Sequence, residues 1–330
     1  MIAEAKAEHL RALSNGDGVI AALAMDQRKS LRQLMAGAAG FPVDTITAAQ
    51  LSEFKECVTR VLSPYASAVL LDPEYGQAAF EQRAAGCGLL VTYEMDGFEN
   101  PRPHRMLALL PHFSARRLRE MGADGLKVLL SWTPFDDEAA NDEKRAMVER
   151  IGHECEAAGV PFLLEPVGYD PHGLDPKSPE FAAQRAEIVI RSMEEFSQDI
   201  YKVDLLKVEF PLNAAWVEGS PVFDGRRVFS RDEALDLFRR ADAAARRPYI
   251  YLSAGVSGAT FTESLRMAAE AGAGFSGVLC GRSTWKDGVN AYVRGGAAAL
   301  EDWLSRDGVA NILAVNECLT AAKPWFSRVA

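Results

Sequence analysis

Eight short apolar runs, each followed by a stretch of helical periodicity, constrain this chain more than any other feature. The runs are Gly18–Asp26, Ala66–Asp72, Gly88–Glu94, Gly125–Ser131, Pro161–Pro166, Asp204–Phe210, Pro248–Gly255 and Gly274–Arg282. Short, nearly continuous apolar segments bounded by turn residues read as strands buried on both faces, as in a parallel sheet covered by helices. Between them, helices are expected over Ser30–Ala39, Thr47–Leu62 with Thr47 as N-cap, Gln77–Ala85, Ser114–Met121, Asp137–Ala158, Phe181–Gln198, Arg231–Arg246 and Thr260–Ala271. Strict β–α alternation gives an α/β fold, and eight units are the number in a closed (β/α)8 barrel of the TIM type, which takes about 250 residues. The remainder of the 330 residues fits an N-terminal helix over Met1–Ser14, a long loop over Asp96–Pro111, and C-terminal helices broken around Asp307-Gly308. An open doubly wound sheet would need a Gly-rich phosphate loop after its first strand. Here Asp26-Gln27-Arg28-Lys29 stands in that place, and no shift of composition marks a linker, so one barrel domain over residues 1–330 is expected.

Charge and cysteine usage exclude several function classes. A net charge of −10 with no basic stripe does not suit nucleic acid. No run approaches the roughly 20 apolar residues of a membrane span, and the N-terminus lacks an apolar signal core. Cys57, Cys87, Cys155, Cys280 and Cys318 are scattered and odd in number, which suits free thiols in a reducing, cytoplasmic setting. None of the five histidines ends a strand, as a zinc site in the barrel would require, so no metal and no cofactor is expected. Asp72 and Glu94 could take Mg²⁺, but read more simply as hydrogen-bonding groups at the barrel mouth.

The chemistry concentrates where barrels of this kind keep it, at the C-terminal ends of the strands. In Asp204–Phe210, Leu205, Lys207 and Glu209 alternate onto one face and Leu206, Val208 and Phe210 onto the other. A lysine inside a buried strand is costly unless paired or neutralised, and desolvation lowers its pKa toward that of a nucleophilic amine. Lys207 is therefore the candidate for an imine with a ketose or an aldehyde. The alternative is a structural lysine held by Glu209 or another acid. A second lysine, Lys127, lies in the fourth strand, and two inward ammonium groups would oppose each other's protonation, with Glu165 between them as a proton carrier. Ser253-Ala254-Gly255 and Cys280-Gly281-Arg282, after strands seven and eight, have the small residues and the guanidinium of a phosphate site, with Leu279 beside them. Arg28 and Lys29 could receive a second phosphate or simply begin a solvated helix.

Five stretches together resemble the microbial class I tagatose-1,6-bisphosphate aldolase family, of the DeoC/LacD type. They are LAMDQR at Leu23–Arg28, SPYASAVLLDPEYG at Ser63–Gly76, LLKVEFPLN at Leu205–Asn213, PYIYLSAGVS at Pro248–Ser257 and GVLCGRSTW at Gly277–Trp285. The resemblance implies a barrel with Lys207 as the Schiff-base lysine and Glu165 as the proton-transfer group. It further implies Asp26, Gln27 and Lys127 lining the substrate, and Ser253, Gly281 and Arg282 holding a phosphate. The implied reaction is reversible cleavage of a phosphorylated sugar, tagatose or fructose 1,6-bisphosphate, in a family whose members often associate as homo-oligomers. Lys29-Ser30 and Phe210 depart from the family's usual small or β-branched residues, which leaves the reader of the C6 end open. An aldolase for 6-deoxy-6-sulfofructose 1-phosphate, and a silent sugar-phosphate-binding barrel, are the alternatives.

Overall fold

A computed structural model describes residues 4–96, 103–176 and 178–329. Its centre is a closed barrel of eight parallel strands in sequence order. The strands are β1 (Ile20–Met25), β2 (Ala68–Leu71), β3 (Gly88–Thr92), β4 (Gly125–Ser131), β5 (Phe162–Val167), β6 (Leu205–Val208), β7 (Tyr249–Leu252) and β8 (Gly277–Cys280). Each falls inside or beside one of the eight expected runs. The outer layer is built from α2 (Lys29–Ala39), α3 (Ala48–Leu62), α4 (Ala115–Glu120), α5 (Glu138–Ala158), α6 (Pro179–Phe196), α7 (Arg231–Ala244) and α8 (Gly258–Glu270), preceded by α1 (Glu4–Ala12). A short α9 (Arg282–Trp285) and the C-terminal α10 (Gly288–Trp303) and α11 (Val309–Glu317) complete it.

Strand alternation divides the core in two. Ile20, Ala22, Ala24, Ala68, Leu70, Leu90, Leu163, Leu205, Ile250 and Leu279 fill the barrel interior. Their neighbours Leu23, Val69, Leu89, Val128, Leu164, Leu206, Tyr251 and Val278 face the helices. Each fully buried aliphatic side chain contributes about 1.5–3 kcal/mol. Ala7 and Leu10 of α1, with Leu13 and Trp325, join the interior cluster and close the barrel at the N-terminal ends of the strands. The opposite mouth is thereby left as the open end. There is little slack where strands meet: a Cβ on Gly277 would lie 1.9 Å from the Ile20 carbonyl oxygen, and Gly277 has φ +136°.

Helix boundaries follow local chemistry. Thr47 caps α3, as the sequence suggested, and the structure adds a reciprocal capping box with Gln50. Two expectations change. The stretch read as a helix over Gln77–Ala85 forms only a 3-10 turn, Gln77–Gln82. The expected break at Asp307-Gly308 is instead a π turn, Leu304–Gly308, through which the helix continues, whereas the dihedral interruption falls at Gly296. Residues 1–3 of the expected N-terminal helix and 97–102 of the expected long loop lie outside the described residues. All five cysteines are free thiols. Among the described residues no helix is long and apolar enough to cross a membrane.

The α1 plug is held by one buried ion pair. Lys6 Nζ donates to Asp204 Oδ2 at 2.7 Å, and the same oxygen accepts the Phe162 N–H at 2.8 Å. Removing one partner of such a pair costs about 3–5 kcal/mol, because the other charge stays buried. Asp204→Ala is expected to lose about that much stability in urea unfolding, and adding Lys6→Met is expected to recover a large part of it. Equal stability of the single and double variants would show that α1 does not depend on this pair.

Candidate active site

The open mouth of the barrel is lined by charge rather than by apolar side chains. Lys127 on β4, Glu165 on β5 and Lys207 on β6 occupy inward positions of adjacent strands, and all three are buried. Asp26 and Glu94 continue the inward rows of β1 and β3 just past the strand ends. The Lys127 ammonium lies 2.7 Å from Glu94 Oε1, 2.8 Å from Asp26 Oδ2 and 3.0 Å from Glu165 Oε2. The other oxygen of Glu165 lies 2.8 Å from Lys207 Nζ. One carboxylate therefore bridges the two lysines.

This arrangement corrects one expectation. Lys127 is not itself discharged by burial beside a second lysine. Burial acts to lower its pKa, but Asp26, Glu165 and Glu94 outweigh it and hold the ammonium well above its ordinary value. Reciprocally, burial pushes the Asp26 carboxyl up, yet Lys127 and Lys207 bring it below the usual carboxylate range. Nor does Glu209 pair with Lys207. Its carboxylate turns away to accept the Gly168 N–H at 2.8 Å and lies 3.6 Å from Arg185.

The other sequence candidates separate into two groups. On the far side of the mouth, Gly255 follows Ala254 in the left-handed region, at φ 73° and 47° respectively, directly after the buried Ser253. A side chain on Gly255 would meet the Arg282 guanidinium at 3.0 Å, so that cation lies flat against the glycine backbone. Among the described residues Arg282 has no carboxylate partner. A non-glycine residue at positive φ costs energy and tends to mark a functional turn. Gly281 has a packing reason of its own, since a Cβ there would sit 2.2 Å from the Ala24 carbonyl oxygen. Leu279 belongs to the apolar interior cluster.

Arg28 and its neighbours form the second group. Arg28 is buried, ion-paired to Glu74, and donates to the Glu94 main-chain oxygen at 2.9 Å, so its guanidinium binds three strand ends together. Gln27 Oε1 is buried and has no hydrogen-bond partner among the described residues. Lys29 is partly buried, and its N–H donates to Asp96. Asp72 turns out to be structural. It pairs with the fully buried Lys55 of α3, whose ammonium also donates to Met25 O at 2.7 Å and Gln27 O at 2.9 Å. Lys55 thus clamps the backbone on either side of Asp26. Sequence reasoning missed it, although a lysine among Leu51, Phe54 and Val58 on the apolar face of a helix was a readable signal.

Comparisons with known proteins give the family of this chain. The pattern of the DeoC/LacD family of aldolases matches residues 20–287. The chain is similar to tagatose 1,6-diphosphate aldolase 1 of Enterococcus faecalis, with 45% identity over 318 residues, covering 96% of this chain and 95% of that protein. It is also similar to the tagatose 1,6-diphosphate aldolase of Staphylococcus haemolyticus, with 44% identity over 324 residues and 98% of each chain covered. A solved fructose-bisphosphate aldolase from Plasmodium falciparum superposes with a TM-score of 0.63 over 95% of this chain and 94% of that one. At 14% identity that likeness concerns the fold alone.

Lys127→Met would strip three buried carboxylates of their common counter-charge, an expected loss of about 3–5 kcal/mol at pH 7. The pH dependence follows from Asp26, whose folded-state pKa lies below its unfolded value. Stabilisation from that shift is complete above the unfolded value of about 4 and is lost as pH falls further. The variant's deficit in urea unfolding should therefore narrow below about pH 4. A deficit that stayed constant from neutral pH to well below that point would contradict the assignment.

Proposed function

Because the chain belongs to the DeoC/LacD family of aldolases, we propose that it cleaves a ketose 1,6-bisphosphate through an imine on Lys207. The observation that carries this reading is the Glu165 carboxylate shared between Lys207 and Lys127. An amine attacking a ketone must first give up a proton, and Glu165 Oε1, 2.8 Å away, is the acceptor within reach. The nitrogen adds to the C2 carbonyl. Glu165 then returns the proton to the departing hydroxyl, water leaves, and a protonated imine remains. Lys127 stays charged throughout and steadies Glu165 as its proton comes and goes.

Cleavage follows from the imine. Asp26, kept ionised by the two lysines, takes the proton of the C4 hydroxyl. The C3–C4 bond breaks to give an aldehyde, and its electrons flow into the iminium as an enamine. Protonation at C3 and addition of water then release the ketone and return Lys207. The phosphate next to the carbonyl belongs beside Ser253, Gly255 and Arg282. Lys207 pairs in register with Ile250 of β7, and Ser253 follows directly on that strand. A C1 phosphate held there sets C2 near Lys207. The products are dihydroxyacetone phosphate and glyceraldehyde 3-phosphate. Tagatose 1,6-bisphosphate leads the reading, because both named relatives carry that substrate in their names. A sensor barrel that bound sugar phosphate without turnover would need only the anion site, not the two lysines and their acids.

Borohydride reduction in the presence of substrate, followed by peptide mass spectrometry, tests the chemistry. The adduct is expected on Lys207 and absent from Lys207→Ala, which also loses cleavage. Adduct on another lysine, or none, would overturn the reading. Arg282→Ala is expected to raise KM about tenfold or more with a smaller fall in kcat, since it removes a phosphate contact made before and during reaction. Rates on tagatose, fructose and sulfofructose phosphates separate the substrate from its alternatives. Cleavage should be unchanged by excess chelator, and its loss would contradict a mechanism run by amine and carboxylates.

A further inference from the structure

The segment that carries Asp26 is held from behind by side chains that the reaction does not use. β1 ends at Met25, and carbonyls at that edge need partners beyond the strand ladder. Trp285 Nε1 donates to the Ala24 carbonyl at 3.0 Å. Lys55 Nζ donates to the carbonyls of Met25 at 2.7 Å and Gln27 at 2.9 Å. The indole shows that a neutral donor suffices for such a carbonyl. Lys55 is instead a fully buried cation, and its partner Asp72 is equally buried. Asp72 is engaged in turn, since its other oxygen accepts the N–H groups of Glu74 at 3.2 Å and Tyr75 at 2.7 Å. Burying such a pair gains little stability over apolar residues of the same size. Its local effect is to fix the peptide planes that precede Asp26 and follow Gln27.

We propose that Lys55 is a positioning residue for Asp26 in carbon–carbon cleavage, and that imine formation on Lys207 does not depend on it. The inference rests on the reading above, in which Asp26 takes the proton of the C4 hydroxyl. Geometry separates the two steps. On the mouth side, Asp26 Oδ2 lies 2.8 Å from Lys127 and 3.4 Å from the Thr92 hydroxyl. Those contacts hold the carboxylate but not the main chain that aims it. Lys55 holds that main chain from the helix layer, through α3. Glu165 and Lys207 stand across the barrel on β5 and β6, paired with each other, and the contacts of Lys55 end at Met25, Gln27 and Asp72. Charge works in the same direction. Burial raises the Asp26 pKa, whereas Lys127, Lys207 and, least of the three, Lys55 lower it. A catalytic group misplaced by about an ångström can lose about 10²-fold in rate, so a clamp on the Asp26 backbone governs a large part of the cleavage rate.

Lys55→Met alone would strand Asp72 as a buried, unpaired charge. The test variant is therefore Lys55→Met with Asp72→Asn, in which the asparagine oxygen still accepts the Glu74 and Tyr75 N–H groups. Its urea midpoint is expected to return close to the native value. In single turnover of tagatose 1,6-bisphosphate, borohydride quenching is expected to trap adduct on Lys207 at close to the native rate. Release of aldehyde is expected to slow about 10- to 100-fold, so that trapped adduct accumulates above the native level. A merely structural role would slow both steps alike, or neither, and would produce no accumulation. Equal slowing of the two steps, or cleavage at the native rate, would overturn the proposal. Lys55→Leu with Asp72→Asn gives the same comparison through a shorter side chain should the methionine variant not fold. Absence of adduct on Lys207 in the native enzyme would instead sink the imine reading, and this inference with it.

Discussion

One carboxylate between two buried lysines organises this enzyme. Glu165 lies 2.8 Å from Lys207 and 3.0 Å from Lys127, so a proton lost by one amine can be held without separating charge over any distance. Neither lysine could be buried alone, since an unpaired ammonium inside a protein is among the costliest groups to bury. Asp26, Glu94 and Glu165 therefore make the burial of the two lysines possible. At the centre of Asp26, Glu94 and Glu165, where many barrel sites hold a metal ion, this chain places an ammonium.

The barrel makes this constellation possible by fixing the inward rows. Parallel strands in sequential order bring β4, β5 and β6 side by side, and the alternation that buries Leu163 and Leu205 in the interior raises Glu165 and Lys207 to the next level above them. The same register continues through β7 and β8 to Ser253, Gly255 and Arg282, where we propose that the phosphate binds. Stability and function are segregated along the axis. The α1 plug and its Lys6–Asp204 pair close one end, while the charged network occupies the other. Behind the network, Lys55 reaches from α3 through the wall to hold the two carbonyls that flank Asp26.

Much of this was legible in the sequence, and the limits follow from physics. Period-two alternation put Lys207 and Glu209 on one face of the sixth run, polar groups late in the fourth and fifth runs marked Lys127 and Glu165, and the count of β–α units gave the closure. Thr47 was enough to place a cap because capping is local. Partners across strands were not legible. Asp72 and Glu94 present the same signal, an acid ending an apolar run, yet one is captured by Lys55 from behind and the other meets Lys127 inside. Arg28 looked like a phosphate ligand beside a solvated start, but it is a buried tie between strand ends. The turn at Gln77–Gln82 lacked only length, and the π turn at Leu304–Gly308 carries the C-terminal helix past Asp307-Gly308 without breaking it.

The central claim is that Glu165 carries the proton for Lys207. The most direct measurement is the single-turnover rate of imine formation in Glu165→Gln, followed by rapid quench with borohydride. A glutamine keeps the size and a hydrogen bond but cannot accept the proton. The account predicts that imine formation slows by about 10²- to 10⁴-fold, the usual worth of a positioned acid–base group. Imine formation at the native rate would contradict it.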